Sequence, residues 1–547
     1  MGVVICVTVW SSGVRALPPE LTERSDLVVS KTIGACLARE DPDCAAPWIA
    51  ELKRRAGRSF THRYAEGHSA FLRGEFALAA EALGQVAGSP LGPKPLRPQA
   101  EKLAAAAAAS ARATRGFLRR PVAAGRFVIW VQPGPDEVLI PLLDRVLTRA
   151  AAALSRAVGP LPVSPVAVHV YPKVEMLAAV SGLTPEQVRT SGTIALCKHN
   201  RLMITSPRDL FFGYHWADTV AHELVHYLIM KHGGADVPVW LHEALARTLE
   251  STWRADAPPH LDPDEITLLQ KARRKRRFIT FRQMHPTMAA LPSQEAAQTA
   301  FAEVHHAMIW LLGRARRSAP DAQYSQLIAR MGQGAGAMAA VQVWAQEPKF
   351  PTPWWAALRR GELLRVAPIK IPGAHVHANQ AKRQMTTHHR GVRGRLRFRG
   401  SSRQGRAKLT RNAARYVELG DRLLAINRPL AAVLEYRKAQ TAGAKDDAMM
   451  LTRLARGLVQ LRRFTEAKVV LDDAVIRFRH HAPLLVLLAK AAHALKDQDA
   501  ALHWAEQALW INPFDPAVHQ IRADVFTTKG ETEAATQARL AKEQVSR

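Results

Sequence analysis

The sequence predicts an α+β domain followed by an all-α solenoid. Between residues 119 and 362, short runs of β-branched and aromatic residues are interleaved with helical patterns, the mixed order of a small sheet laid beside helices. Beyond residue 412, pairs of alanines recur every 33 to 35 residues, the mark of repeated helix pairs. A chain of 547 residues also needs several separately packed cores.

The chain opens "MGVVICVTVWSSGVRALPP": a short apolar run, small residues, then Val14-Arg15-Ala16 in a small-x-small pattern, without a basic leading segment. Residues 1–16 are the candidate export signal. If it is one, the protein belongs to the cell envelope, the periplasm or the exterior; otherwise it is cytoplasmic. No stretch approaches the ~18 apolar residues that span a bilayer. Four cysteines are too few for a disulfide framework, and no CxxC pair exists. Cys36 and Cys44 could form one small staple in an exported chain, or stand as unrelated thiols.

Residues 17–118 read as helical. "RGEFALAAEAL" and the run Ala104 to Ala109 are rich in strong helix formers. At Arg126 the pattern changes to "RFVIWV", a strand closed by the turn "PGPD". A helix is expected over Leu139 to Ala157, then strands at "PVAVHVYP" and "RLMITSP".

Next comes "TVAHELVHYLIM". Apolar residues at 217, 220, 221, 224, 225, 228 and 229 form one helical stripe. His222 and His226 are one turn apart on the adjoining face, so both imidazoles can reach a single ion. Gly233 and Gly234 stop the helix. A catalytic zinc needs three protein ligands and an open position, so one ligand is still to be found. "PVWLHEALA" offers it: Pro238 can open a second helix, and a turn between the helices returns Glu243 or His242 over the first.

Residues 363–412 form the expected linker. From Leu363 to Val417 there are fourteen Lys or Arg and no Asp or Glu, about half of the net charge of +29. Too few large apolar residues are present to offset ordering entropy, so a solvated tether is expected, with a polyanion-binding arm as the alternative. From residue 413 the alanine pairs are 432 and 439, 467 and 474, 501 and 508, and 534 and 541. Small residues are needed where paired helices cross closely. Pro513 in "INPFDPAVH" separates two units, and about four units are expected by residue 547. The pattern resembles the tetratricopeptide repeat (TPR). Phe76 and Ala79 echo Phe464 and Ala467, which adds a lone unit near the N-terminus.

"HELVH" followed by "WLHEALA" resembles the gluzincin metallopeptidases, the thermolysin-type peptidase MA-like proteins. The likeness covers roughly residues 125 to 360, with "VAVHVYP", "SGTIAL" and "NRLMITSP" resembling that family's small sheet. It implies a zincin-type domain with an active-site helix and a helical lower half. It also implies Zn2+ held by His222, His226 and Glu243, with Glu223 as the general base. Ala244 departs from the glycine often found after the third ligand.

The residue types suit this chemistry independently of the likeness. Two neutral imidazoles and one carboxylate leave the ion a residual positive charge, and a neighbouring carboxylate can carry a proton. His305, His306 and Tyr324 are candidate oxyanion donors, each weighed against an ordinary packed or solvated role. Peptide hydrolysis is the expected function, and endopeptidase action is favoured because no GxMEN-type motif precedes the metal helix. The repeats would recruit a protein partner or substrate. The alternative is a weak or inactive zincin-TPR scaffold for protein–protein interaction, against which the retained Glu223 argues.

Overall fold

The computed structural model describes residues 25–364 and 409–546, apart from 58, 92, 185, 189–191, 235–236, 255–258, 286 and 319–322. The candidate export signal and nearly all of the expected linker lie outside the described residues. The chain divides into two compact units, residues 1–112 and 113–547. No helix among the described residues is long and apolar enough to cross a membrane.

The first unit contains helices Asp26–Ala38, Pro42–Ala56, Phe60–Arg73, Phe76–Gly88 and Arg97–Ala113. A disulfide joins Cys36 to Cys44, so the staple is formed. Helices Phe60–Arg73 and Phe76–Gly88 cross at Gly67, where a Cβ would stand 2.8 Å from the Leu83 side chain. Only glycine permits so close a crossing. Ala79, on the second of these helices, is fully buried.

The second unit begins with a mixed sheet of β1 (Leu118–Val122), β2 (Phe127–Val131), β3 (Val166–Tyr171), β4 (Ala195–Lys198) and β5 (Arg201–Thr205). Their order is β1-β2-β3-β5-β4, with β2, β3 and β5 parallel and the two edge strands antiparallel. Apolar patterning alone names only β2, β3 and β5. β1 reads "LRRPV", with Arg119, Arg120 and Pro121 exposed; an edge strand can carry a proline because one side of its ladder is open. β4 is only four residues long, and the family likeness, not its periodicity, pointed to that segment.

Helix Leu139–Ala157 makes the crossover from β2 to β3, and its buried face, Leu139, Leu143, Val146, Leu147, Ala150 and Leu154, repeats at helical spacing. The motif helix Trp216–Gly233 follows β5. Each of its seven stripe positions, Ala217, Val220, Ala221, Leu224, Val225, Leu228 and Ile229, is buried. Its C-terminal cap, Gly234, has a φ of 88°, a conformation that glycine adopts freely. Helices Val239–Leu249, Pro263–Lys275, Gln294–Ser318, Tyr324–Gly332, Ala337–Ala345 and Thr352–Arg360 complete this part of the fold.

Four helix pairs come next: Arg411–Ala425 with Pro429–Ala439, Ala448–Gln460 with Phe464–Arg477, Ala482–Ala494 with Gln498–Leu509, and Pro516–Thr528 with Thr532–Ser546. In the first three, the alanines at 432, 439, 467, 474, 501 and 508 are fully buried. The fourth departs from the expected register. Ala535 and Ala538 are the buried residues there, while Ala534 and Ala541 are only half-buried.

This array is seated on the sheet domain. The Trp216 indole donates to the carbonyl of Leu509 at 3.0 Å, and the Tyr214 amide to the carbonyl of Ile511 at 3.1 Å. Arg145 grips Glu506 with both guanidinium nitrogens, at 3.2 and 2.8 Å, and its charge lies over the ring of Trp510. Trp510 packs in turn against Trp216 and Trp253. One continuous core therefore runs from the sheet into the repeats.

Candidate metal centre

Two helices build the site. The motif helix is fixed by its buried stripe and by Trp216, so His222 and His226 project from a rigid support. Pro238 precedes helix Val239–Leu249, which returns over the motif helix and brings Glu243 to the histidines. Glu243 Oε2 lies 3.3 Å from His222 Nε2 and 3.6 Å from His226 Nε2, and the two Nε2 atoms are 3.1 Å apart. Three donor atoms thus face a common point. Among the described residues, these three make the one His/Cys/Asp/Glu cluster arranged to hold a metal ion.

His242 takes a different position. Its Nδ1 lies 3.3 Å from Nδ1 of His226, on the side of that ring away from Glu243. Burial pushes its pKa down to about 3, so it stays neutral. By position the two differ: the Glu243 carboxylate faces both imidazole Nε2 atoms, and His242 backs onto Nδ1 of His226.

Glu223 is 6% exposed and accepts a hydrogen bond from the Cys197 amide of β4. Burial raises its pKa, with the charge of Glu243 acting in the same direction, although the two histidines oppose the shift. A carboxyl so placed readily takes up a proton. Burial also presses on Glu243, but His226 and His222 outweigh it and hold that carboxyl well below its usual range. The two glutamates are thereby tuned in opposite directions.

A second layer of residues was not found by pattern. His222 Nδ1 hydrogen-bonds Glu250 Oε2 at 2.9 Å, which assigns the proton to Nδ1 and leaves Nε2 as the inward donor atom. Arg247 donates to Glu250 Oε1 at 2.6 Å and to Glu265 at 2.9 Å. The signal was available: Glu250 follows Glu243 by seven residues, two helical turns along the same face.

Two of the three candidate oxyanion donors, His305 and His306, have hydrogen-bond partners elsewhere. His305 Nδ1 sits 3.0 Å from both oxygens of Glu265. His306 donates to the carbonyl of Glu362 and accepts from the Trp354 indole. Tyr324 packs its ring against Trp344 with its hydroxyl buried. Tyr214, which pattern did not single out, is close enough to Glu223 to feel its charge, and its hydroxyl donates to the carbonyl of Thr205.

No protein-family model and no curated protein matches the chain. Among solved structures, yeast LTA4 hydrolase in complex with bestatin is similar at 11% identity and a TM-score of 0.31, over 79% of this chain and 67% of that one. MamA is similar at 17% identity and a TM-score of 0.23, over 25% of this chain and 78% of that one. The APC/C hetero-tetramer Cut9–Hcn1 is similar at 14% identity and a TM-score of 0.24, over 96% of this chain and 95% of that one. At such scores the likenesses carry no argument about function, which has to come from the site's own residues.

Proposed function

We propose that the protein is a zinc-dependent peptidase of gluzincin type, with endopeptidase action, whose TPR array recruits a protein partner or substrate. The observation that carries this is the convergence of His222 Nε2, His226 Nε2 and Glu243 Oε2 to within 3.1–3.6 Å of one another, with Glu223 buried beside them.

The donor set fits zinc. Tetrahedral ligands ~2.0–2.1 Å from an ion stand about 3.3–3.4 Å apart, close to the separations seen. Glu243 Oε2 is buried and makes no hydrogen bond of good geometry, as expected of an oxygen meant for a cation. Zn2+ held by these residues would supply Lewis acidity, polarising the scissile carbonyl and acidifying water. The chain supplies the proton traffic. Glu223 takes a proton from the attacking water as its oxygen bonds to the carbonyl carbon, then gives it to the amine nitrogen as the C–N bond breaks. Glu250 holds His222 in one tautomer throughout.

Metal analysis and a cleavage assay test the whole reading. Purified protein should carry about one zinc per chain, lost in His226→Ala. Glu223→Gln should keep the metal and lose at least 10²-fold in cleavage of a denatured protein, the scale of a general base. Wild type without zinc, or undiminished chelator-sensitive cleavage by Glu223→Gln, would overturn it.

A further inference from the structure

We propose that the repeat array is a working part of the metal centre, with Arg479 acting as a positioning residue for His222 through a chain of ion pairs and hydrogen bonds. This rests on the metal reading above. The chain is unbroken. Arg479, in the connection between the second and third helix pairs, grips the carboxylate of Asp262. Asp262 immediately precedes helix Pro263–Lys275, and its amide donates to Glu265 Oε2 at 2.8 Å. Glu265 Oε1 accepts from Arg247 at 2.9 Å, Arg247 donates to Glu250 Oε1 at 2.6 Å, and Glu250 Oε2 meets His222 Nδ1 at 2.9 Å.

Geometry makes this chain directional. Glu250 and Glu265 each present both oxygens to different partners, and Arg247 bridges them with two nitrogens of one rigid plane. The inner links are shielded, with the Glu265 side chain 8% and the Glu250 side chain 17% exposed, so solvent screens them less than a surface pair. Outer partners of a metal-binding histidine set its orientation and its strength as a ligand. The array is held independently by the contacts of Trp216 and Arg145, so losing Arg479 removes the clamp without releasing the repeats.

Zinc affinity, measured by chelator competition on the full chain, tests this without recourse to activity. Glu250→Ala should weaken zinc binding about 10- to 100-fold. Arg479→Ala, remote from the ion, should weaken it about threefold to tenfold, at an unchanged melting temperature of the metal-free protein, and Arg479→Lys should recover most of the loss. The double variant Arg479→Ala/Glu250→Ala should bind no more weakly than Glu250→Ala alone, since both act through one path. Wild-type affinity in Arg479→Ala, or losses that simply add in the double variant, would overturn the proposal while leaving the metal site standing. Wild type that binds no zinc would overturn both.

Discussion

His222, His226 and Glu243 are each ordinary residues; their separation is what is unusual. Two imidazole nitrogens 3.1 Å apart with a carboxylate oxygen 3.3 Å from one of them concentrate more donor density than hydrogen bonding requires. Position also separates Glu243 from its neighbour. Glu243→Ala should abolish stoichiometric zinc, whereas His242→Ala should keep one zinc per chain and lose less than about tenfold in affinity, because its ring meets only the outer nitrogen of His226. Zinc content after dialysis against a weak chelator decides between them. His222 and His226 were readable because their spacing is set by the helical turn, whereas Glu243 stood beside His242 as a choice that only the family likeness weighted. Glu250 was not singled out, since a carboxylate at a helix end has the composition of a solvated cap, and only the returning helix shows that it meets His222.

Among the elements, the motif helix was the most readable, and its seven buried positions follow from a period that survives any tertiary context. The edge strands were the least, because β1 carries exposed arginines and β4 is short, so neither offers the alternation by which a strand is recognised. The seat of the array was invisible for a related reason: its acceptors at Leu509 and Ile511 are backbone carbonyls, which every residue possesses. Gly213 is the exception that sequence could mark. Its φ is 70°, and a Cβ would stand 2.1 Å from the Ile511 oxygen. Gly213→Ala should therefore strain the backbone and push the repeats off the Tyr214 amide, costing about 1–3 kcal/mol in urea unfolding of the full chain. An alanine variant as stable as wild type would mean that the seat is not where the array is held.

At the scale of the molecule, the same junction carries a pH dependence. His481 packs edge-on against Phe212, with both ring nitrogens buried and without hydrogen bonds. Burial pushes its pKa down to about 4. The unfolded chain takes up that proton near pH ~6.5 while the folded protein does not, so stability is intact above about 6.5 and falls as the pH drops towards 4. His68 in the first unit behaves alike, also pushed to about 4 by burial. His481→Leu should therefore show a smaller fall in melting temperature between pH 7.5 and 5 than wild type, with the share due to His68 and the other buried histidines, His169, His215 and His519 among them, remaining. Equal falls in both proteins would assign the acid sensitivity elsewhere.

The use of main-chain carbonyls at Leu509 and Ile511 has one more consequence. A hydrogen bond to the peptide itself persists whatever side chain that peptide bears, so the acceptors for Trp216 and Tyr214 do not depend on the side chains of Leu509 and Ile511, whereas Trp510 between them is held by its ring contacts. The seat of the repeats on the sheet domain is thus written partly in the main chain, where a side-chain substitution cannot erase it.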